Sequence, residues 1–103
     1  MAALTTTKMA VTGIDPSSYL TAAAGGGDTF VNDGNTFFHA LNSDASSTNI
    51  TFGAPVDVVV AVPASGRRLI GPFSTARFND SSGNVQVSYS SVTSLTVAPV
   101  AMK

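Results

Sequence analysis

The chain has 103 residues and a formal net charge of −1, from five Lys plus Arg against six acidic residues. That length allows one small domain, and so little positive charge excludes a surface that tracks nucleic-acid phosphates. With no Cys at all and a 44% apolar share, disulfides, zinc–thiolate sites, thiol catalysis and intrinsic disorder are excluded as well.

The composition also points to a fold class. There is no Trp, one His (His39) and no Glu, while Ala, Ser, Thr and Val supply about half of the residues. Exposed helical faces are built from Glu, Lys and Gln, and this chain has almost none of them. Thr, Val and Phe suit strands instead. The expected fold is all-β, a small antiparallel β-sandwich of jelly-roll or immunoglobulin-like type with an extended N-terminal arm. No apolar run approaches the ~20 residues of a membrane span. Met1 to Met9 has no basic region followed by an apolar stretch, so a cytoplasmically made protein without a membrane partner is expected.

In chain order, residues 1–27 read as the arm. Their apolar members Leu4, Met9, Val11, Ile14, Tyr19 and Leu20 are dispersed, Gly13 and Asp15-Pro16 interrupt them, and a short strand at Lys8–Thr12 is the one regular element expected. Gly25-Gly26-Gly27 closes the segment as a hinge, since three glycines lose much entropy on ordering and pack nothing. Fully extended, such an arm reaches on the order of 90 Å.

The sandwich domain is expected over 28–103, where strand-like runs alternate with turns. Thr29-Phe30-Val31 leads into Asp33-Gly34, a hairpin signal. Then come Thr36 to Leu41, Asn49 to Phe52, and the valine-rich run Val56 to Val62 behind the breaker Gly53-Ala54-Pro55. Arg68 to Phe73 follows, with Pro72 placing it at an edge or bend. After it stand Thr75 to Phe78, Val85 to Ser90 and Ser94 to Val100. The expected core is Phe30, Phe37, Leu41, Ile50, Phe52, Val58, Val60, Val62, Ile70, Phe73, Phe78, Val85, Val87, Tyr89, Leu95 and Val97. Period-two geometry then leaves Val59, with Phe38 or Phe37, on a second apolar face that calls for a partner.

Chemistry is sparse. His39 is the sole imidazole, and a structural or interface role is the ordinary one for it. Asp15, Asp28, Asp33, Asp44 and Asp80 adjoin Gly, Pro, Ser or Asn, where an aspartate caps its own turn. Asp57 stands in a strand run, as a charge guarding an edge does. Asn32-Asp33-Gly34-Asn35 is too short for a calcium loop, and no Lys-Ser/Thr follows the three glycines as a phosphate cradle requires. No catalytic, cofactor or metal residue is assigned. Arg67-Arg68 is the one local charge cluster, suited to a partner's carboxylates, and Arg77 joins it if the flanking strands form a hairpin.

From Val58 to Phe73 the chain resembles small virion proteins of tailed bacteriophages. The pattern is a valine-rich strand, the turn Val62-Pro63-Ala64 with Gly66, basic Arg67 and Arg68, and then Ile70-Gly71-Pro72-Phe73. Asp33 to His39, Phe78-Asn79-Asp80 and Val87 to Ser90 fit it, as does Thr12-Gly13-Ile14 in the arm. The resemblance implies a capsid decoration, or cement, protein located on the virion. Its partners would be the major capsid protein and its own copies, with a homotrimer favoured, and not nucleic acid. The residues expected to meet them are Lys8, Val11, Ile14, Tyr19 and Leu20 in the arm, and Phe38, His39, Val59, Arg67 and Arg68 in the domain. A head–tail connector or tail component, and a virion-displayed carbohydrate-binding module, are the alternative roles.

Overall fold

Alternation of apolar and polar residues lets each strand bury one face, and the turns between them let successive strands change sheets. The computed structural model describes residues 2–53 and 58–102; Ala54, Pro55, Val56 and Asp57, including the breaker and the edge aspartate expected there, lie outside the described residues. The elements are β1 (Ala2–Ala3), β2 (Thr7–Lys8), α1 (Pro16–Tyr19), β3 (Thr21–Ala22), β4 (Asp28–Val31), β5 (Thr36–Asn42) and β6 (Thr48–Phe52). They continue with β7 (Val58–Val62), β8 (Arg67–Ile70), α2 (Thr75–Phe78), β9 (Asn84–Tyr89) and β10 (Leu95–Ala101). The fold is an all-β sandwich, as the composition predicts.

One sheet runs β1-β4-β9-β6-β7; the other runs β2-β10-β5-β8, with β3 also paired to β10. Without β1 and β2, the orders are β4-β9-β6-β7 and β3-β10-β5-β8, every pairing antiparallel. That is the strand order of a jelly roll, which decides between the two sandwich types expected. The jelly roll therefore begins at Thr21, inside the segment read as an arm. Gly25 to Gly27 form the turn that carries the chain from its first strand to its second, with the Gly27 amide donating to the Ala24 carbonyl at 2.9 Å.

The rest of the N-terminal segment also lies on the sandwich. β1 pairs in parallel with β4 on one sheet, and β2 pairs in parallel with β10 on the other. These are the only parallel pairings among the described residues, and the purely antiparallel sandwich expected from the sequence becomes mixed through them. Leu4, between the two strands, packs against the core. The segment is thus a strap that closes one side of the slab, covering the edges of β4 and β10. Among the described residues nothing pairs with the outer edges of β7 and β8.

Between the sheets the core is a phenylalanine cluster. Phe30 of β4 stacks on Phe38 of β5 with ring centroids 5.5 Å apart, and Phe38 meets Phe52 of β6 edge-on at 5.2 Å. Phe73 contacts Phe30, Phe52 and Phe78, the last delivered by α2. Such pairs add about 0.5–1.5 kcal/mol each beyond their buried area. The Thr75 to Phe78 stretch is thus a helical turn and not a strand, capped by the Ser74 hydroxyl, which accepts from the Arg77 amide at 3.1 Å. Arg77 lies over the Phe78 ring, and no hairpin unites it with Arg67 and Arg68.

The register of β5 is one residue out from the sequence expectation. Thr36, Phe38, Ala40 and Asn42 point inward, and Phe37 and Leu41 are half-buried on the outer face. Two polar residues at inward positions disguised the pattern. Asn42, fully buried, donates through Nδ2 to the carbonyls of Ser46, Val62 and Pro63 and accepts the Asp44 amide, so it ties the two sheets at that end. Asn32 does the same at another corner, donating to the Phe73 carbonyl and to Asn79 Oδ1. A buried amide with its bonds made costs little. Asp28 is another departure: it is 1% exposed, and accepts the Tyr89 hydroxyl at 2.6 Å as well as the Ala24 amide. Burial, then this bond to the carboxylate, pushes the Tyr89 phenol far above its ordinary range.

Phe38→Ala should therefore cost about 3–5 kcal/mol, the range for a buried aromatic, and Phe37→Ala clearly less. Equilibrium denaturation of both variants checks the register; equal losses would contradict it.

Candidate functional site

Inward Phe38 obliges Phe37 and His39 to face out, since neighbouring strand residues alternate sides. Antiparallel pairing then sets a row across the outer face: Leu69 of β8 beside His39, His39 beside Ala98 of β10, and Phe37 beside Val100. The N-terminal strap passes over part of this surface. Between strap and sheet lies a groove of about 800 Å³. Its floor is Phe37, His39 and Val100; Arg67, Arg68, Leu69 and Gly71 form one wall, Met9, Ile14 and Tyr19 the other, and Met102 closes an end. Leu69 is 72% exposed, Met102 54% and Met9 48%. A smaller pocket of about 360 Å³ lies between Leu4, Tyr19 and Ala98.

Several devices hold the groove open. The Met9 amide donates to the Ala101 carbonyl at 2.8 Å, fixing the strap beside β10. At the far wall Gly71 has φ +127 and lies against β5; a Cβ there would stand 3.0 Å from the Thr36 carbonyl and 3.2 Å from Phe37 Cα. Only glycine permits both that dihedral and that approach.

Tyr19 reaches from α1 to the sheet, where its hydroxyl lies 3.1 Å from His39 Nδ1 and the rings meet edge-on. Burial, then the neighbouring Arg67 charge, pushes the imidazole below its ordinary value of 6.5. Burial raises the Tyr19 phenol, against the pull of Arg67 and with a further push from Asp15. The phenol and the neutral imidazole thus share one hydrogen bond, whose donor is set by the imidazole tautomer. An imidazole engaged in this way is a clamp for α1. Among the described residues no group of three or more metal-ligating side chains occurs.

Of the residues singled out in the sequence, the fold brings together Ile14, Tyr19, His39, Arg67 and Arg68. Phe38 is corrected outright: it is wholly buried among phenylalanines, and Phe37 takes its place on the outer surface. Val59 is exposed on β7, in the opposite sheet. Lys8 and Val11 are exposed and Leu20 is half-buried, and none of the three lines the groove. Sequence reading missed Met9, Leu69, Val100 and Met102. Met9 and Met102 stand beside short apolar stretches near the two ends of the sequence, and pairing alone converts them into neighbours.

Since His39 is held neutral, its folded-state pKa lies below that of the unfolded chain, and the unfolded state takes up the proton first. The clamp's contribution is complete above about pH 6.5 and is lost as pH falls below it. Thermal melting should therefore drop between about pH 7 and pH 5 more steeply for the native chain than for His39→Gln. Parallel profiles would show that the clamp does not titrate.

Comparison with protein-family models, curated proteins and solved structures finds no match to this chain.

Proposed function

We propose that the chain is a structural virion protein that binds the outer surface of a bacteriophage capsid, bridges neighbouring capsid subunits and acts as a homo-oligomer, a trimer by analogy with cement proteins. The observation that carries this reading is the groove. It exposes Leu69, Met9 and Met102 beside two exposed guanidinium groups, Arg67 and Arg68. Exposed apolar surface gathered in one concave patch and rimmed by charge is the character of a docking surface. The phage-like motif from Val58 to Phe73 supplies Arg67, Arg68, Leu69 and Gly71, which form one wall of it.

The rest of the fold suits a cementing role. A jelly roll with an aromatic core is rigid, so contacts made at its surface resist shear, and many copies on one particle gain avidity from a modest single-copy interface. No catalytic step is assigned to the groove. The carbohydrate-binding alternative is weaker. Sugar sites are commonly built on Trp and Tyr rings, and this chain has no Trp and only two Tyr.

Quantitative mass spectrometry of purified particles should find this chain at a copy number comparable to that of the major capsid protein. Its absence, or a single ring of copies at one vertex, would overturn the reading. Leu69→Asp should keep its melting temperature and lose capsid occupancy. Removing residues 2–12 should also weaken binding by taking away the Met9 wall while keeping the jelly roll, whereas removing all of 1–27 would take β3 with it.

A further inference from the structure

We infer that the groove's β8 wall takes an extended acidic segment of a partner protein, added as a strand to the open edge of β8, with alternate apolar side chains laid against Leu69 at the rim of the groove. This rests on the groove being the docking surface and specifies what docks there.

The edge is available. β8 pairs with β5 on one side, and no strand among the described residues pairs with its other side. The Asn42 amide donates to the Gly66 carbonyl at 2.8 Å, which fixes the phase of hydrogen bonding between the two strands. In an antiparallel ladder bonded pairs alternate, so Arg68 and Ile70 direct their backbone groups to β5. Arg67 and Leu69 direct theirs to the open edge. A contact seen in the structure agrees with this: the Arg67 carbonyl accepts from Arg68 Nη1 at 2.9 Å, so the Arg68 guanidinium lies along that edge.

Arg67 and Leu69 are also two of the groove's wall residues. Backbone pairing and side-chain docking are therefore offered by the same strand at the same positions, as strand addition requires. Every second side chain of an arriving strand stands on the same face of the sheet as Leu69. Its remaining specificity comes from charge. Arg67 and Arg68 are two of the chain's five cationic side chains, and guanidinium groups take carboxylates in two-pronged contacts. Lysine-rich segments would be repelled. The other open edge, on β7, carries only Val and Ala and offers no such selection.

The test uses the full chain and two short fluorescent peptides, one alternating valine with glutamate and the other valine with lysine. Anisotropy titration should show saturable binding of the acidic peptide and none of the basic one. Arg67→Glu with Arg68→Glu should weaken the acidic peptide by on the order of tenfold or more and admit the basic one. Methylating the backbone nitrogens on one edge of the acidic peptide should abolish binding if methylation falls on the edge that faces β8, and leave it intact if it falls on the opposite edge. Equal binding of both peptides, indifference to the charge reversal, or equal tolerance of methylation on either edge would each overturn the inference. Peptide binding by a chain that purified particles lack would sink the virion reading and leave this one standing. Abundant virion copies that ignore the peptide would do the reverse.

Discussion

The stacking of Phe38 on Phe30 between the two sheets is the contact on which the rest depends. Strand side chains alternate with period two, so committing Phe38 to the interior commits Phe37 and His39 to the exterior. That choice sets the chemistry of the outer face of β5. A slip of one residue would bury Phe37 and His39, expose Phe38, and leave Tyr19 without its partner. The groove is therefore a by-product of core packing on the other side of the same strand.

The second organising constraint is the treatment of strand edges. An open sandwich has four of them, each a row of unpaired backbone groups. This chain covers two with its own N-terminal residues, through β1 on β4 and through β2 and β3 on β10. The strap adds little regular structure, four paired residues beyond the jelly roll, yet it crosses the slab at Leu4 and supplies Met9 to the groove. It both protects one side of the sandwich and shapes the surface on a sheet face. On the opposite side no strand among the described residues covers the edges of β7 and β8, and β8 bears two exposed arginines.

Buried polar residues act as fasteners at the ends of this frame. Asn42 and Asn32 each join segments far apart in the chain, and Asp28 holds Tyr89 across β4 and β9. The two amides are bonded well enough to sit in the interior at small cost, whereas Asp28 Oδ1 is buried with no hydrogen-bond partner among the described residues, so that carboxylate is held at a cost.

Composition and alternation by themselves determined that the protein is an all-β sandwich. The absence of Glu and the clean alternation of Val85, Val87 and Tyr89 allow little else, and the turn aspartates Asp33 and Asp80 bond to backbone amides just ahead of them as their neighbours imply. The doublet Arg67-Arg68 and the lone His39 stood out in the sequence because titratable residues are scarce, and the fold brings all three to one groove. Tertiary structure alone decided the rest. The face of β5 could not be read, since Thr36 and Asn42 are polar residues turned inward, and what satisfies Asn42 includes the Val62 and Pro63 carbonyls, twenty and twenty-one residues on. The N-terminal segment could not be read either, because a two-residue strand has no periodicity and owes its existence to the edge it meets. The groove combines both: its walls are adjacent only once β2 lies on β10 and β8 lies on β5, long-range pairings that no local pattern encodes.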